Sequence, residues 1–171
     1  MTPHRPDLVE CWVFRVPPGG GPEYLLIRRA PDRIYPGLWQ CVTGSIDEGE
    51  EIPAAALREV EEETGFGRDA IEGFYDLEQV ETFYGETHDA LVTSIVFALR
   101  VHPDAEPRLS TEHDASCWAA RDEALRLSVW PAYHESLARI ERLLADPETA
   151  RWFELDLAGR RLARPPRQSP R

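Results

Sequence analysis

Alternating runs of apolar and turn-forming residues along the chain predict a fold rich in β-strands. The segment from Leu8 to Val16 mixes β-branched and aromatic residues, ends at a run of prolines and glycines, and is followed by the apolar stretch 24–27. This order is typical of a strand, a loop and a second strand, so we predict a hairpin. Residues 38–43 predict another short strand that leads into Gly44, and residues 47–49 predict a loop.

Two segments have the composition and spacing of helices. Residues 53–64 are mostly good helix formers, with Pro53 in a first turn that tolerates proline and Gly65 where helices commonly end. Residues 132–145 repeat apolar side chains at helical spacing, namely Tyr133, Leu137, Ile140 and Leu144. We expect this amphipathic second helix to pack on the sheet.

Further strands are predicted in the second half of the chain. The β-like stretches are residues 71–82, 90–101 and 115–119, and residues 152–157 predict one strand of a small hairpin that closes near 158–159. Because a helix lies between strands, we expect an α/β protein in which helices cover a mixed sheet.

The length of the chain fits one domain. With 171 residues and 42% hydrophobic residues, the chain is long enough to bury a core but short for two domains. We predict a single domain over residues 1–162. The Pro- and Arg-rich end, residues 163–171, predicts a flexible tail.

The charge balance limits the partners. A formal net charge of -12 repels nucleic-acid backbones and anionic lipid, so a polymeric nucleic acid is disfavoured as a partner. An anionic small substrate is compatible with this acidity only if a divalent metal lies between the protein carboxylates and the substrate phosphates. A monomer or a homodimer is expected.

Cysteine usage and apolar runs point to the cytoplasm. Cys11, Cys41 and Cys117 are an odd number of widely spaced cysteines, which supports neither a disulfide framework nor a zinc site. The first residues contain no apolar export segment, and no run approaches the roughly 18 apolar residues of a membrane span. We expect a cytoplasmic protein without membrane contact.

A cluster of glutamates carries the candidate chemistry. Glu59, Glu62 and Glu63 lie at positions i, i+3 and i+4 of the predicted helix and therefore converge on one face. Like charges at these spacings repel each other, so an isolated helix of this kind is unfavourable unless the charge is compensated. Mg²⁺ compensates it naturally, because it binds carboxylate oxygens and keeps positions for water and phosphate oxygens. A generic acidic helix face is otherwise simply solvated.

The stretch from Gly44 to Phe66 resembles the Nudix box, G-x5-E-x7-R-E-U-x-E-E-x-G-U with U apolar. The fixed positions are filled by Gly44, Glu50, Arg58, Glu59, Val60, Glu62, Glu63, Gly65 and Phe66. A match at this many fixed spacings is far more specific than a lone glycine motif. The resemblance implies an α/β/α sandwich and hydrolysis of a nucleoside diphosphate linked to another group.

The resemblance also implies roles for the residues of the box. Glu59, Glu62 and Glu63 would hold Mg²⁺ or Mn²⁺ together with the carbonyl of Gly44, and Arg58 would orient a neighbouring carboxylate, which we expect to be Glu50. The implied reaction is in-line attack of an activated water on a phosphorus of the diphosphate. The base is Glu62 or Glu112, because relatives often supply a further carboxylate from a later loop.

A narrower resemblance concerns the dihydroneopterin triphosphate diphosphatase branch of the family. It is carried by residues 38–45 and by Thr111-Glu112-His113 shortly before Trp118. It implies substrate contacts by Arg29 and Thr43 and a metal ligand at Glu112. Trp39 is expected at the edge of the same site, as a packing residue or a substrate contact.

Several alternatives stay open at this level. Tyr84 lies where diadenosine-polyphosphate hydrolases of the family place a tyrosine, which favours a dinucleoside polyphosphate as an alternative substrate. A Nudix-like module that binds nucleotides without turnover is another possibility, and an isoprenoid diphosphate is a third. His88 and His113 lack metal-ligand spacing, so we expect surface or loop roles for both.

Overall fold

A computed structural model describes residues 5–87 and 89–163 of the chain. The strands in these residues are β1 (Leu8–Arg15), β2 (Glu23–Arg29), β3 (Trp39–Gln40), β4 (Val42–Ser45), β5 (Ile71–Gly85), β6 (Ala90–Val101), β7 (His113–Ala119) and β8 (Glu154–Leu155). The helices are α1 (Ile52–Thr64), α2 (Arg121–Leu127), α3 (Ala132–Ala145) and α4 (Pro147–Ala150), with a 3-10 turn at Arg68–Ala70.

The strands form one mixed sheet in the order β3-β2-β1-β6-β5-β8. β1 and β2 pair in antiparallel register, which confirms the predicted hairpin, whereas β1 and β6 run parallel. β4 pairs with the first half of β1, at residues 8–11, while β7 pairs with β2. Because β4 is bonded directly to central strand β1, the box segment (residues 44–66) begins against the middle of the sheet.

Helices cover both faces of the sheet, as the α/β/α expectation requires. On β1, alternate residues point to opposite faces because the side-chain period of a strand is two. One set of β1 residues, Val9, Cys11 and Val13, packs in a core with α1. The other set, Trp12 and Phe14, packs in a second core with α3. The sheet therefore separates an α1 face from an α3 face.

Local sequence fixes both ends of α1. Pro53 lies in the first turn, where no intrahelical N–H is required. Gly65 ends the helix with φ of 73°, a left-handed conformation that favours glycine, and its N–H donates to the carbonyl of Glu61 at 2.8 Å. Between these ends the buried residues include Ala55, Ala56 and Val60, which hold the helix on the sheet.

The structure differs from the sequence expectations in a few elements. α2 was not predicted, because seven residues are too few to establish a periodic pattern. β5 continues to Gly85 rather than ending at Thr82, and its outer half pairs with β6 up to Ala90. The C-terminal hairpin is present, with Leu155 bridged to Arg161.

Two expectations fall on parts of the chain that the structure does not describe. His88 and residues 164–171, which make up nearly all of the predicted tail, lie outside the described residues. Within the described residues, every helix is too short or too polar to cross a membrane.

Candidate active site

Arg58 on α1 ties the loop after β4 to the helix. Its Nε and Nη2 atoms donate to the two carboxylate oxygens of Glu50 at 2.8 and 3.0 Å, and Nη2 also donates to the carbonyl of Ser45 at 2.9 Å. This two-pronged pairing lowers the pKa of Glu50. The expectation that Arg58 orients Glu50 agrees with this geometry.

The same guanidinium reaches two further glutamates of the helix. Arg58 Nη1 donates to Glu59 at 2.7 Å and to Glu62 at 3.3 Å. The Glu59 side chain is only 12% exposed, and burial raises its pKa despite the contact with Arg58. Glu62 is 59% exposed and thus faces solvent more freely.

Gly44 is adjacent to the Glu59 carboxylate. A Cβ at position 44 would lie 1.9 Å from Glu59 Cδ, which no real side chain could tolerate without displacing that carboxylate. The glycine is therefore required here for close approach, and not for an unusual backbone angle. Its neighbour Thr43 lies close enough that its backbone N–H lowers the pKa of Glu63, so β4 lies beside two carboxylates of the helix.

Glu63 is the most deeply placed of the cluster. It is 6% exposed, and its Oε2 atom has no hydrogen-bond partner among the described residues. Burial, reinforced by the negative charge of Glu59, raises the pKa of Glu63 to about 8. A carboxyl in this environment gains strongly from any positive charge placed beside it.

Residues outside the box complete the cluster. Glu112, in the loop before β7, is close enough that its charge raises the pKa of both Glu59 and Glu63. Arg33 pairs with Glu112 at 3.5 Å. Arg29, at the end of β2, opposes the rise in the pKa of Glu63. The fold thus brings Arg29 and Glu112 near the box glutamates, although both are distant from them in sequence.

The two other residues expected to contact substrate lie on neighbouring strands, Trp39 on β3 and Thr43 on β4. Thr43 accepts a hydrogen bond at 3.2 Å from Gln40, a residue that is only 4% exposed. Trp39 packs against the α3-side core, and the Arg28 guanidinium lies 5.6 Å from its ring. Tyr84 is 63% exposed near the β5–β6 turn and donates to Asp89.

The residues present fit a hard divalent cation. The unpartnered buried oxygen of Glu63, the second carboxylate at Glu59 and the space kept open by Gly44 offer oxygen ligands of the kind that Mg²⁺ prefers. Within residues 5–87 and 89–163, no three His, Cys, Asp or Glu side chains already form a group that could hold a metal ion. Glu62, held by Arg58 but largely exposed, has room to rotate.

The expectation of a surface role for His113 is wrong. His113 is 5% exposed at the start of β7, and neither ring nitrogen has a partner among the described residues. Burial, aided by the charge of Arg29, lowers its pKa to about 4, so the imidazole is neutral at ordinary pH. Its burial comes from pairing of β7 with Arg29 on β2, a contact that the polar sequence around it does not signal.

Comparison with known proteins identifies the family. The family model described as NUDIX domain matches residues 9–140. An octanoyltransferase from Myxococcus xanthus is 40% identical over 125 residues, which are 71% of this chain and 33% of that protein. The dihydroneopterin triphosphate diphosphatase of Escherichia coli (strain K12) is 54% identical over 39 residues, or 23% of this chain and 24% of that protein. The matched segments span a third or less of these two relatives.

A solved structure supports the same fold. The binary complex of an Ap4A hydrolase from C. elegans superposes with a TM-score of 0.69 at 20% identity, covering 82% of this chain and 98% of that chain. At this level of identity the likeness concerns the fold. The α/β/α architecture expected from the sequence is thereby confirmed.

Proposed function

Because the chain belongs to the Nudix hydrolase family, we propose that it hydrolyses a diphosphate linkage in a nucleoside or pterin polyphosphate, with the help of a divalent cation. The observation that carries this proposal is the buried Glu63 carboxyl, which has an unpartnered oxygen and lies beside Glu59 and Glu112. Such a group is costly to bury unless a cation or proton compensates it.

The cation would be held by Glu59, Glu62 and Glu63, with Glu112 and the Gly44 carbonyl as further ligands. We propose Mg²⁺, with Mn²⁺ as an alternative, because all of these donors are oxygen atoms. When bound, the cation supplies positive charge that offsets the phosphate oxygens and makes a water molecule more acidic.

The chain's own residues contribute position and proton transfer. Arg58 fixes Glu50 and the carbonyl of Ser45, and so holds the loop against the helix. Glu62 and Glu112 are the two candidates for the base, because both are exposed enough to meet a water molecule. We propose that Arg29, Trp39 and Thr43 contact the substrate.

Two named relatives bear on the substrate. The likeness to a dihydroneopterin triphosphate diphosphatase over 39 residues favours a pterin or nucleoside triphosphate. The fold likeness to an Ap4A hydrolase, together with exposed Tyr84, keeps a dinucleoside polyphosphate as a second candidate. The octanoyltransferase match covers a third of that protein, so its acyl-transfer activity is not carried over.

The wider setting is also a proposal. Cys11 and Cys41 are free and fully buried, which fits a reducing compartment such as the cytoplasm. A single domain over residues 1–162, acting as a monomer or homodimer on a small molecule rather than on a polymeric nucleic acid, is consistent with the net charge of -12.

Turnover by a matched pair of variants tests the function. The purified protein is incubated with Mg²⁺ and a panel of dihydroneopterin triphosphate, nucleoside triphosphates, dinucleoside polyphosphates and ADP-ribose, and the products are identified. Glu63→Gln should remove Mg²⁺-dependent product release, because it removes a charge that the cation requires. Glu61→Gln changes the same chemical group on an exposed position of the same helix and should leave turnover unchanged.

The outcomes are distinct. Equal turnover by wild type and Glu63→Gln would contradict the assignment of Glu63 to the cation. Binding of a nucleotide by the wild type with no product from any substrate of the panel would favour the silent binding module instead.

A further inference from the structure

A polar cluster lies on the α3 face of the sheet, opposite the box helix, and has no role in the proposed hydrolysis. Its centre is Glu10 on β1, which points to the same face as Trp12. Ser94 on β6 donates to Glu10 Oε1 at 2.7 Å, and Cys41 Sγ lies 3.9 Å from Oε2. Glu10 is partly exposed.

The charge of Glu10 is poorly compensated. Burial raises the pKa of Glu10, and the negative charge of Glu81 on β5 raises it further. Of the two hydrogen bonds that Glu10 accepts, the one from the Ser94 hydroxyl is the stronger, since the thiol of Cys41 is a weak donor. Additional N–H donors would therefore stabilise the carboxylate form.

Gln79 on β5 gives independent evidence for a ligand. Its side chain is 4% exposed, and its Nε2 atom donates to Glu81 at 2.8 Å and to the carbonyl of Ala132 at 3.4 Å. Its Oε1 atom is buried and accepts no hydrogen bond from any residue that the structure describes. Buried amide oxygens are nearly always paired, so an acceptor left open beside a carboxylate indicates a missing donor.

Exposed aromatic side chains lie on the same α3 side of the sheet. Tyr35, in the loop before β3, and Trp130, just before α3, are 50% and 43% exposed, with ring centroids 6.5 Å apart. The Tyr35 hydroxyl lies 3.4 Å from Glu86, at the β5–β6 turn. Phe83, on the same strand face as Glu81, is 45% exposed. Exposed rings near a polar cluster favour stacking with a flat heterocycle.

One residue lies between this polar cluster and the box glutamates. Thr43 on β4 is the direct strand partner of Glu10, and its backbone N–H is close enough to Glu63 to lower the pKa of that carboxyl. A substrate whose phosphate chain lies at Glu63 and whose ring lies at Glu10 therefore needs to pass only strand β4.

We propose that this polar cluster binds the heterocycle of the substrate and that Glu10 is its specificity-determining residue, accepting the paired N–H donors of a 2-amino-4-oxopyrimidine ring, as in guanine or a pterin. This proposal rests on the proposed function only in assuming that the phosphate chain of the substrate binds at the box glutamates. Guanine and pterins present a ring N–H beside an amino group, and this pair matches the two oxygens of a carboxylate. Adenine presents its amino group between ring acceptors, which a carboxylate repels.

The variant Glu10→Gln tests the proposal, because the amide keeps the size of the side chain but loses charge and one acceptor. We expect kcat/KM for GTP and dihydroneopterin triphosphate to fall by about 10- to 150-fold, whereas ATP is affected less or gains. Binding of guanosine and adenosine, followed by tryptophan fluorescence without metal, should show the same loss of preference. Glu123→Gln, on the surface of α2, is the control and should behave as wild type.

A second variant is available if Glu10→Gln fails to fold by circular dichroism. Trp130→Ala changes an exposed residue near the cluster and should weaken guanosine binding by at least about fivefold, the equivalent of one stacking contact. A wild type that prefers adenosine, or variants that retain the preference for guanosine, would overturn the proposal. Guanosine binding that depends on Glu10 without hydrolysis of any polyphosphate would instead contradict only the proposed function.

Discussion

At the scale of single residues, Arg58 is the connection between the loop and the helix of the box. One guanidinium contacts Glu50 through two atoms, Glu59 and Glu62 through a third, and the carbonyl of Ser45. A lysine has no planar fork and cannot reproduce these simultaneous contacts. The position of Glu59 therefore depends on arginine geometry as well as on positive charge.

Arg58→Lys should lower kcat/KM for diphosphate hydrolysis by about 10- to 100-fold, the usual effect of losing a residue that orients metal ligands. Steady-state rates at saturating and limiting Mg²⁺ measure the effect, and we expect the larger loss at limiting Mg²⁺. Arg126→Lys breaks an equally two-pronged pair with Glu123 on α2 and should leave the rates unchanged. An Arg58→Lys enzyme with wild-type rates at both Mg²⁺ concentrations would contradict this role.

Gly44→Ala should strongly lower hydrolysis with little effect on the fold. The new Cβ would meet the end of the Glu59 side chain, which can move, so we expect the free energy of unfolding to change by less than about 1 kcal/mol. Activity should fall by about 10- to 100-fold because the carboxylate is displaced. Gly21→Ala, where a Cβ meets nothing within 4 Å, is the matched control. Hydrolysis rates and thermal denaturation together check this, and a Gly44→Ala protein with wild-type hydrolysis rates would refute it.

The sequence predicts that Glu59, Glu62 and Glu63 share one helix better than it predicts the burial of residues in other elements. The spacing of Glu59, Glu62 and Glu63 is a local helical property, and the contacts of Arg58 and Glu50 follow from a match to fixed positions. The burial of His113 and the polar cluster at Glu10 depend instead on which strands pair, as β2 does with β7. Such long-range pairing is not encoded in a window of adjacent residues.

At the scale of elements, the C-terminal turn braces the start of the box helix. Gly159 has φ of 75°, and a Cβ there would lie 2.5 Å from Pro53 Cγ. Asp156 holds this turn by accepting hydrogen bonds from the N–H groups of Ala158 and Arg160, both at 2.9 Å. The small hairpin thus packs on α1, while β8 pairs with the edge of β5.

Gly159→Ala should destabilise the protein more than Gly19→Ala. Both glycines have left-handed φ, which costs a non-glycine residue roughly 1–2 kcal/mol. Only at position 159 does the new Cβ also meet Pro53, which adds roughly 1–3 kcal/mol of overpacking. At about 2–4 °C per kcal/mol for a chain of this size, thermal denaturation should separate the two variants by several degrees. Equal melting temperatures would show that the turn does not press on α1.

The success of the element predictions followed the length of the pattern. α1 and α3 span 13 and 14 residues, long enough for helical periodicity to be recognised, whereas seven-residue α2 was missed. β5 extends beyond its predicted end because its outer half gains hydrogen bonds from β6, although Tyr84 and Leu91 there are exposed. Hydrogen bonding to β6 defines that end of β5. Because its side chains are not buried there, the sequence lacks the alternation of apolar and polar residues that would reveal the strand.

At the scale of the whole molecule, the net charge of -12 opposes the compact state and also repels an anionic substrate. The box places several of these charges around one buried carboxyl, Glu63, whose raised pKa reflects the unfavourable environment. A cation bound there would relieve the local repulsion in the folded state but would find no such cluster in the unfolded chain. Metal binding and stability are therefore expected to be coupled.

Mg²⁺ should raise the melting temperature, and removing Mg²⁺ with EDTA should reverse the effect. A ligand that binds only the folded state at a hundred times its Kd adds about 2.7 kcal/mol, which corresponds to a rise of roughly 5–10 °C for a chain of this length. Because any salt screens a charge of -12, the control is NaCl at matched ionic strength, which should raise the melting temperature less. The double variant Glu59→Gln, Glu63→Gln should respond equally to both salts. If it keeps the full Mg²⁺ effect, the cation binds elsewhere on the acidic surface and the box glutamates are not its site.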